Sequence, residues 1–142
     1  MLGTVLRQLG DRDGAISEFR EAIRLQPASA EGHLSLGQML QQRGERAAAA
    51  AALSEAARLN QKKADVQAST FAVGVGRARV KAGDVAGAVT AFERAIALAA
   101  DNFEAHYELA KALTALGRRE VANAHLIEAR RLAPRVHFAD PR

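Results

Sequence analysis

The chain has 142 residues, of which 49% are hydrophobic and 25% charged, with 20 basic and 16 acidic side chains and a net charge of +4. This balance is typical of a folded domain rather than of a disordered chain. The absence of cysteine excludes disulfides, thiolate metal ligands and a cysteine nucleophile. No apolar run approaches the roughly 20 residues that a membrane-spanning helix needs, and the start shows no signal-peptide pattern.

Taken in chain order, the predicted helices are punctuated by four glycines that each precede a charged residue. These glycines are Gly10, Gly44, Gly83 and Gly117, and their separations are 34, 39 and 34 residues. When the copies are aligned at these offsets, small residues align with small residues and large apolar residues with large apolar residues. One alanine column holds Ala15, Ala49, Ala88 and Ala122, and a large apolar column holds Phe19, Leu53, Phe92 and Leu126. The chain therefore repeats one unit of 34 residues.

Each unit is predicted to be a helical hairpin. In the last copy, His106, Leu109, Ala110 and Leu113 recur at helical spacing and give the first helix one buried stripe. Gly117 ends that helix, because glycine adopts positive φ without a steric penalty. The second helix carries Ala122, Leu126, Ala129 and Leu132 on one face and is stopped by Pro134. Small residues at the crossing let the two backbones approach closely.

These columns resemble the tetratricopeptide repeat (TPR) over residues 1–136. The family's tryptophan column holds His33, Ala72 and His106 here, and the terminal proline is kept at Pro27 and Pro134 but replaced by Gln61 and Ala100. Arg79 is the oddity, because its column is apolar in the other three copies. The resemblance implies an all-α fold, a right-handed α-solenoid of stacked antiparallel helical hairpins.

The alignment predicts a single TPR array over residues 1–142. Its parts are an incomplete repeat 1–29, a repeat 30–63, a five-residue insertion 64–68, repeats 69–102 and 103–136, and a tail 137–142. Both ends are predicted to be uncapped, because the tail is too short and proline-broken to form the usual capping helix. Two explanations are open: the chain is an excerpt of a longer protein, or another subunit covers the open end in a homo-oligomer.

Catalysis, metal binding and cofactor binding have little support in the sequence. His33 and His106 share a buried column, which favours packed and hydrogen-bonded histidines. No two histidines have metal-ligand spacing within one helix, so zinc is disfavoured. Gly74 and Gly76 lack the Lys-Ser/Thr of a phosphate loop and are interpreted as glycines where helices touch. We therefore expect no enzyme, no metal site and no cofactor.

In TPR proteins, the first helices of successive repeats line a concave groove that binds peptides or partner helices. The residues that helical spacing places on this stripe are Arg7, Leu34, Gln38, Gln41, Val73, Arg77, Val80, Lys81, Tyr107, Lys111 and Thr114. Cations and apolar side chains are mixed along it, with Arg79 as a further candidate cation, which favours an extended or helical ligand with acidic residues. The clamp of chaperone-tail-binding TPRs is absent, because the matching positions hold Leu34, Ser35, Gln38 and Gly74.

The resemblance therefore implies a protein-binding scaffold whose partner is another protein or a peptide. One alternative is a sequence-independent nucleic-acid binder that uses the basic C-terminal end (Arg118, Arg119, Arg130, Arg131, Arg135 and Arg142). No aromatic residue interleaves with these arginines for base stacking, so nucleic acid is disfavoured. The second alternative is a spacer module of a larger enzyme. We expect a soluble protein, in the cytoplasm, or in the periplasm if it is part of a longer chain.

Overall fold

A computed structural model describes residues 2–140, with Arg7 described by its backbone only. Seven α-helices lie in this range, and it contains no β-strand. They are α1 (Leu2–Gln8), α2 (Arg12–Leu25), α3 (Ala30–Arg43), α4 (Arg46–Lys81), α5 (Val85–Leu98), α6 (Phe103–Ala115) and α7 (Arg119–Leu132). The predicted all-α class is confirmed. The contacts group into two compact units, one up to Lys63 and one from Ala64 onward, and the grouping of all repeats into one array stays a prediction.

The four column glycines lie in the turns of the hairpins. Gly10, Gly44, Gly83 and Gly117 have φ between 75° and 87°, in the left-handed region where a side chain would be strained. Two of the helices that follow these turns begin with an aspartate cap: Asp11 accepts from the Gly14 N–H at 2.9 Å at the start of α2, and Asp84 accepts from the Gly87 N–H at 2.8 Å at the start of α5. The sequence thus dictates both the end of one helix and the start of the next.

The first unit packs α1 on α2 and α2 on α3 around a small core of Ala15, Ile16, Phe19, Met39, Leu40 and Ala49. The predicted small residue at the hairpin crossing is confirmed at Gly37. A Cβ added there would lie 2.7 Å from Cγ of Leu53, closer than real side chains approach. The absence of a side chain at Gly37 therefore lets the first and second helices of this repeat come together.

The second unit contains a larger core formed by the C-terminal part of α4 with α5, α6 and α7. Its buried residues include Ala88, Phe92, Ala95, Leu109, Ala110, Leu113, Ala122, Leu126 and Ala129, which are members of the predicted columns. Gly76 sits directly against the ring of Phe92, so its interpretation as a glycine at a helix contact is confirmed. A Cβ on Gly74 would meet no atom within 4 Å, so that interpretation is wrong for Gly74.

The region around the insertion is helical throughout. The second helix of repeat two, residues 64–68 and the first helix of repeat three form the single 36-residue helix α4. The physical reason is the lack of a helix breaker: Gln61 replaces the proline that ends the second helix elsewhere, and no glycine or proline lies between Arg46 and Val73. A five-residue insertion of helix-forming residues extends a helix rather than making a loop.

The described chain after α7 is not helical, in agreement with the prediction, and it packs one aromatic side chain against the last repeat. Phe138 is only 7% exposed and belongs to the core of the second unit. Phe138 covers the rings of Phe103 and Tyr107 on α6. Val121 and Ile127 on α7 are 43% and 65% exposed, so the uncapped C-terminal end stays a prediction.

Candidate protein-binding surface

In the first unit, the predicted groove residues lie on one stripe of α3. Leu34 is 41% exposed, and Gln38 and Gln41 are exposed at the next turns of the same face. The side chain of Arg7, which was placed on the equivalent stripe of α1, lies outside the described residues. Unit one thus offers one apolar side chain flanked by amides and no described groove cation.

In the second unit, ion pairs join the end of α4 to α6. The guanidinium of Arg77 donates from Nε to Glu108 at 2.9 Å and from Nη2 to Glu104 at 3.3 Å. The Lys111 ammonium donates to the other oxygen of Glu108 at 3.1 Å. The two predicted cations are therefore paired with acids of the same surface. An acidic ligand has to share these cations with Glu104 and Glu108.

The two apolar members of this stripe on α4, Val73 and Val80, differ in how much of the side chain is exposed. Val80 is 43% exposed and lies beside the exposed Lys81, as predicted. Val73 is 2% exposed and packs in the core of the unit, so its assignment to a ligand-binding surface is wrong. Val73 and Val80 are seven residues apart and point in nearly the same direction, because an α-helix drifts by only about 20° per heptad. The cause is therefore packing along α4: the core of the unit reaches Val73 and does not include Val80 in the last turn.

Tyr107 and Thr114 on α6 are only half exposed. The Tyr107 ring lies 4.9 Å from the ring of Phe138, and its hydroxyl donates to the carbonyl of Ala139 at 3.3 Å. The Lys111 ammonium lies 5.5 Å from the centre of the same tyrosine ring, within cation–π range. Thr114 donates its hydroxyl back to the Ala110 carbonyl at 2.9 Å. The Thr114 hydroxyl is thus bonded within its own helix, whereas the Tyr107 ring is contacted by Phe138 and by the Lys111 ammonium.

A buried serine that the sequence analysis did not single out holds α4 against α6. Ser69 is fully buried, donates to the Ala95 carbonyl at 2.7 Å and accepts from the Asn102 amide at 2.8 Å. The Asn102 side chain also accepts from the Ala105 N–H and so caps α6. This chain of hydrogen bonds positions the two helices that carry the ion pairs. The sequence contained one indication of this role, because Ser69 aligns with the apolar residues Ala30 and Phe103 in repeats two and four.

The histidine column behaves as predicted at His106, which is buried and hydrogen-bonded. Its Nε2 lies 3.2 Å from the Ala100 carbonyl, and its Nδ1 lies 3.0 Å from Nδ1 of His125. Burial, and next the neighbouring His106, lower the pKa of His125, and the Glu93 carboxylate opposes this shift. His33 makes the equivalent single contact, 3.1 Å from Nε2 to the Pro27 carbonyl. Among the described residues, no cluster of three or more His, Cys, Asp or Glu side chains could hold a metal ion.

Arg79 lies in a column that is apolar in the other copies, and its surroundings in repeat three explain why a cation is tolerated there. Its guanidinium donates to Asp84 at 2.9 Å and borders a hollow of about 310 Å³ between α4 and α5. Ala68, Val75, Ala91 and Arg94 also line the hollow, and Phe71 projects beside it with 76% of its surface exposed. Arg79 therefore occupies an apolar column because that column is not buried in this repeat. It does not join the cations near Lys111.

The basic C-terminal end carries internal ion pairs. Arg130 donates to Asp140 at 2.6 Å and Arg131 to Glu128 at 2.6 Å, while Arg142 lies outside the described residues. These pairs reduce the positive charge that this end offers to a phosphate backbone. Across residues 2–140, no helix has the length and apolar character needed to cross a membrane.

Comparison with known proteins agrees with this architecture. Models of the TPR family match residues 1–64, described as a tetratricopeptide repeat, and residues 76–117, described as a TPR repeat. Together the two matches cover well over half of the chain, and they fall on the hairpins described above. The chain belongs to the tetratricopeptide repeat family, whose members typically serve as non-catalytic scaffolds that bind other proteins.

Three solved structures align with more than nine-tenths of this chain, each with a TM-score below 0.5. A crystal structure of MamA is 24% identical, covers 94% of this chain and 75% of its own, and has a TM-score of 0.47. YrrB, described as a TPR protein with an unusual peptide-binding site, is 17% identical with 93% and 66% coverage and a TM-score of 0.45. The Cut9–Hcn1 complex of the APC/C is 19% identical, covers 96% of this chain but 27% of its own, and has a TM-score of 0.49. No curated protein matches the sequence significantly.

Proposed function

We propose that the protein is a scaffold that binds an extended, acidic segment of another protein on the surface formed by the end of α4 and by α6. We call this surface the α4–α6 face; it comprises Arg77, Val80, Lys81, Tyr107 and Lys111. Family membership supports protein binding in general. The choice of face and ligand charge rests on the charge and exposure of these five side chains and on the contacts of Arg77, Tyr107 and Lys111.

Charge is the first support. The face carries three cations, Arg77, Lys81 and Lys111. Arg77 pairs with Glu104 and Glu108, and Lys111 pairs with Glu108. Lys81 forms no ion pair with any described residue and is exposed. Arginine has five N–H donors and lysine three, so the pairs with Glu104 and Glu108 leave donors for a ligand carboxylate. The face therefore has one more cation than acids, and the side chains of Arg77 and Lys111 are about half exposed.

Apolar surface is the second support. Val80 is 43% exposed next to Lys81, and Tyr107 offers an aromatic ring under the Lys111 ammonium. A charged face without apolar contacts would bind weakly, because exposed ion pairs contribute little. Valine and tyrosine beside lysines combine burial for affinity with charge for orientation. The excess cation Lys81 beside exposed Val80 is the observation that carries the proposal.

The test uses peptides selected by phage display on the full chain, followed by binding of the enriched peptides to two charge-reversal variants. We expect acidic peptides, and a loss of about fivefold to tenfold in affinity for Lys81→Glu, up to about 1.4 kcal/mol. Arg94→Glu reverses an exposed cation of the same unit on the second helix and is the matched control. Equal binding by wild type, Lys81→Glu and Arg94→Glu would remove the α4–α6 face from the account.

A further inference from the structure

The segment that follows α7 occupies part of the α4–α6 face in the manner of a bound peptide. Phe138 lies edge-on to Phe103 at 6.0 Å between ring centres and 4.9 Å from Tyr107. Only 7% of its surface is exposed, although it belongs to a segment without helical structure. Phe103 and Tyr107 thus form an aromatic seat on α6 that accepts a side chain from an extended chain.

The contact is more than apolar. The Tyr107 hydroxyl donates to the backbone carbonyl of Ala139, and Arg130 of α7 donates to the carboxylate of Asp140 at 2.6 Å. Three successive residues, Phe138, Ala139 and Asp140, therefore offer an aromatic ring, a main-chain acceptor and an acid. Recognition of extended peptides combines these elements: main-chain hydrogen bonds, a pocket for a side chain and a charged contact.

We propose that the aromatic seat is a peptide-binding subsite whose ligands carry an aromatic residue two positions before an acidic residue, and that residues 135–140 are its built-in competitor. The inference rests on the proposed function, because Tyr107 belongs to both the seat and the α4–α6 face. Residues 135–140 contain the acid Asp140, which agrees with the ligand charge that the cations of the α4–α6 face favour.

The strengths of the contacts indicate that the competitor can be displaced. Asp140 is 81% exposed in its pair with half-exposed Arg130, and such pairs contribute little. The bond from Tyr107 is 3.3 Å long, at the weak end of the range. Phe138 is therefore the principal anchor. A segment tethered a few residues after α7 competes at an effective concentration in the millimolar range, which masks the seat from weak ligands without closing it to stronger ones.

The experiment measures binding of a fluorescent peptide, RVHFAD, which is the sequence of residues 135–140, to the full-length chain by anisotropy. Phe138→Ala frees the seat, and we expect it to bind the probe at least tenfold more tightly than the wild type. The peptide RVHAAD, without the aromatic ring, should bind neither protein. Phe71→Ala removes an exposed aromatic residue of the same unit that does not contact residues 135–140, and should behave as the wild type.

Two further variants protect the test against unfolding of Phe138→Ala. Asp140→Arg reverses an exposed acid, keeps the core intact and leaves Arg130 available to the probe, so we expect tighter probe binding but by less than for Phe138→Ala. Tyr107→Ala in the Asp140→Arg chain should abolish binding. Circular dichroism verifies the fold of each variant. Probe binding no tighter in folded Asp140→Arg than in the wild type overturns the inference.

The two proposals can fail separately. Selected peptides that depend on Lys81, together with a probe that binds no variant, would leave the proposed function standing and remove the seat. A probe that binds Asp140→Arg through Tyr107, together with selected peptides that ignore Lys81, would establish the seat and remove the α4–α6 face as the general binding surface.

Discussion

The first helices of repeats two and four, α3 and α6, share their columns but differ in what covers them. Leu34 on α3 is 41% exposed, whereas Tyr107 at the same position of α6 is contacted by Phe138 and Ala139. His33 makes one backbone contact, whereas His106 is buried and also meets His125. The columns specify each hairpin. The surface of each hairpin is set by residues outside the columns.

The largest effect that tests this comparison is the loss of a core leucine. Leu109→Ala removes a side chain that is 1% exposed, and we expect a cost of about 2–5 kcal/mol in the free energy of unfolding. Leu36→Ala changes the same column of repeat two, where the leucine is only half-buried, so the cost should be smaller. Urea denaturation followed by circular dichroism measures both. Equal costs would mean that the two hairpins are buried alike.

Alanine substitutions at Gly74 and Gly76 of α4 should change the free energy of unfolding by smaller amounts and in opposite directions. Gly76→Ala forces a methyl group against the ring of Phe92, and overpacking of this kind costs about 1–3 kcal/mol. Gly74→Ala places its methyl group in open space and should stabilise the helix by roughly 0.5–1 kcal/mol. Thermal melts measure both effects: the melting temperature should fall for Gly76→Ala, on the packed side of α4, and rise for Gly74→Ala, on its exposed side. Two substitutions with the same sign would contradict that assignment.

The smallest effect is the pH dependence of the histidine pair. Because burial and His106 lower the pKa of His125, the folded state favours the neutral ring. The resulting stability is fully present above the ordinary value of about 6.5, and is lost as the pH falls below it through the lowered pKa. His125→Gln should flatten the pH profile of the melting temperature between about pH 7 and 5. A pH profile that keeps its slope in His125→Gln would contradict this assignment.

Much of the fold could be predicted because it depends on local sequence. The turns at Gly44 and Gly117 follow from glycine's freedom at positive φ, and the crossings follow from small residues opposite large ones. The unbroken α4 was visible in principle, since Gln61 replaces a proline and nothing else stops the helix. Local rules thus predict the hairpins and where a helix continues.

The surface was harder to predict because it depends on contacts between residues far apart in sequence. Arg77 meets Glu108 across 31 positions and Tyr107 meets Ala139 across 32. Helical spacing put Val73 and Val80 on one stripe, but it could not show which neighbour buries the first and leaves the second exposed. A stripe predicted from one helix says which residues share a direction, and the packing of other helices decides which of them a ligand can reach.

The central claim is that a ligand binds to the α4–α6 face, and backbone NMR of the full chain tests it most directly. In a titration with a selected acidic peptide, we expect the largest amide shifts at residues 77–81 and 104–114. Residues 135–140 should shift as well if the peptide enters the aromatic seat. Shifts confined to residues 87–94 of α5, which border the hollow beside Arg79, would contradict the account.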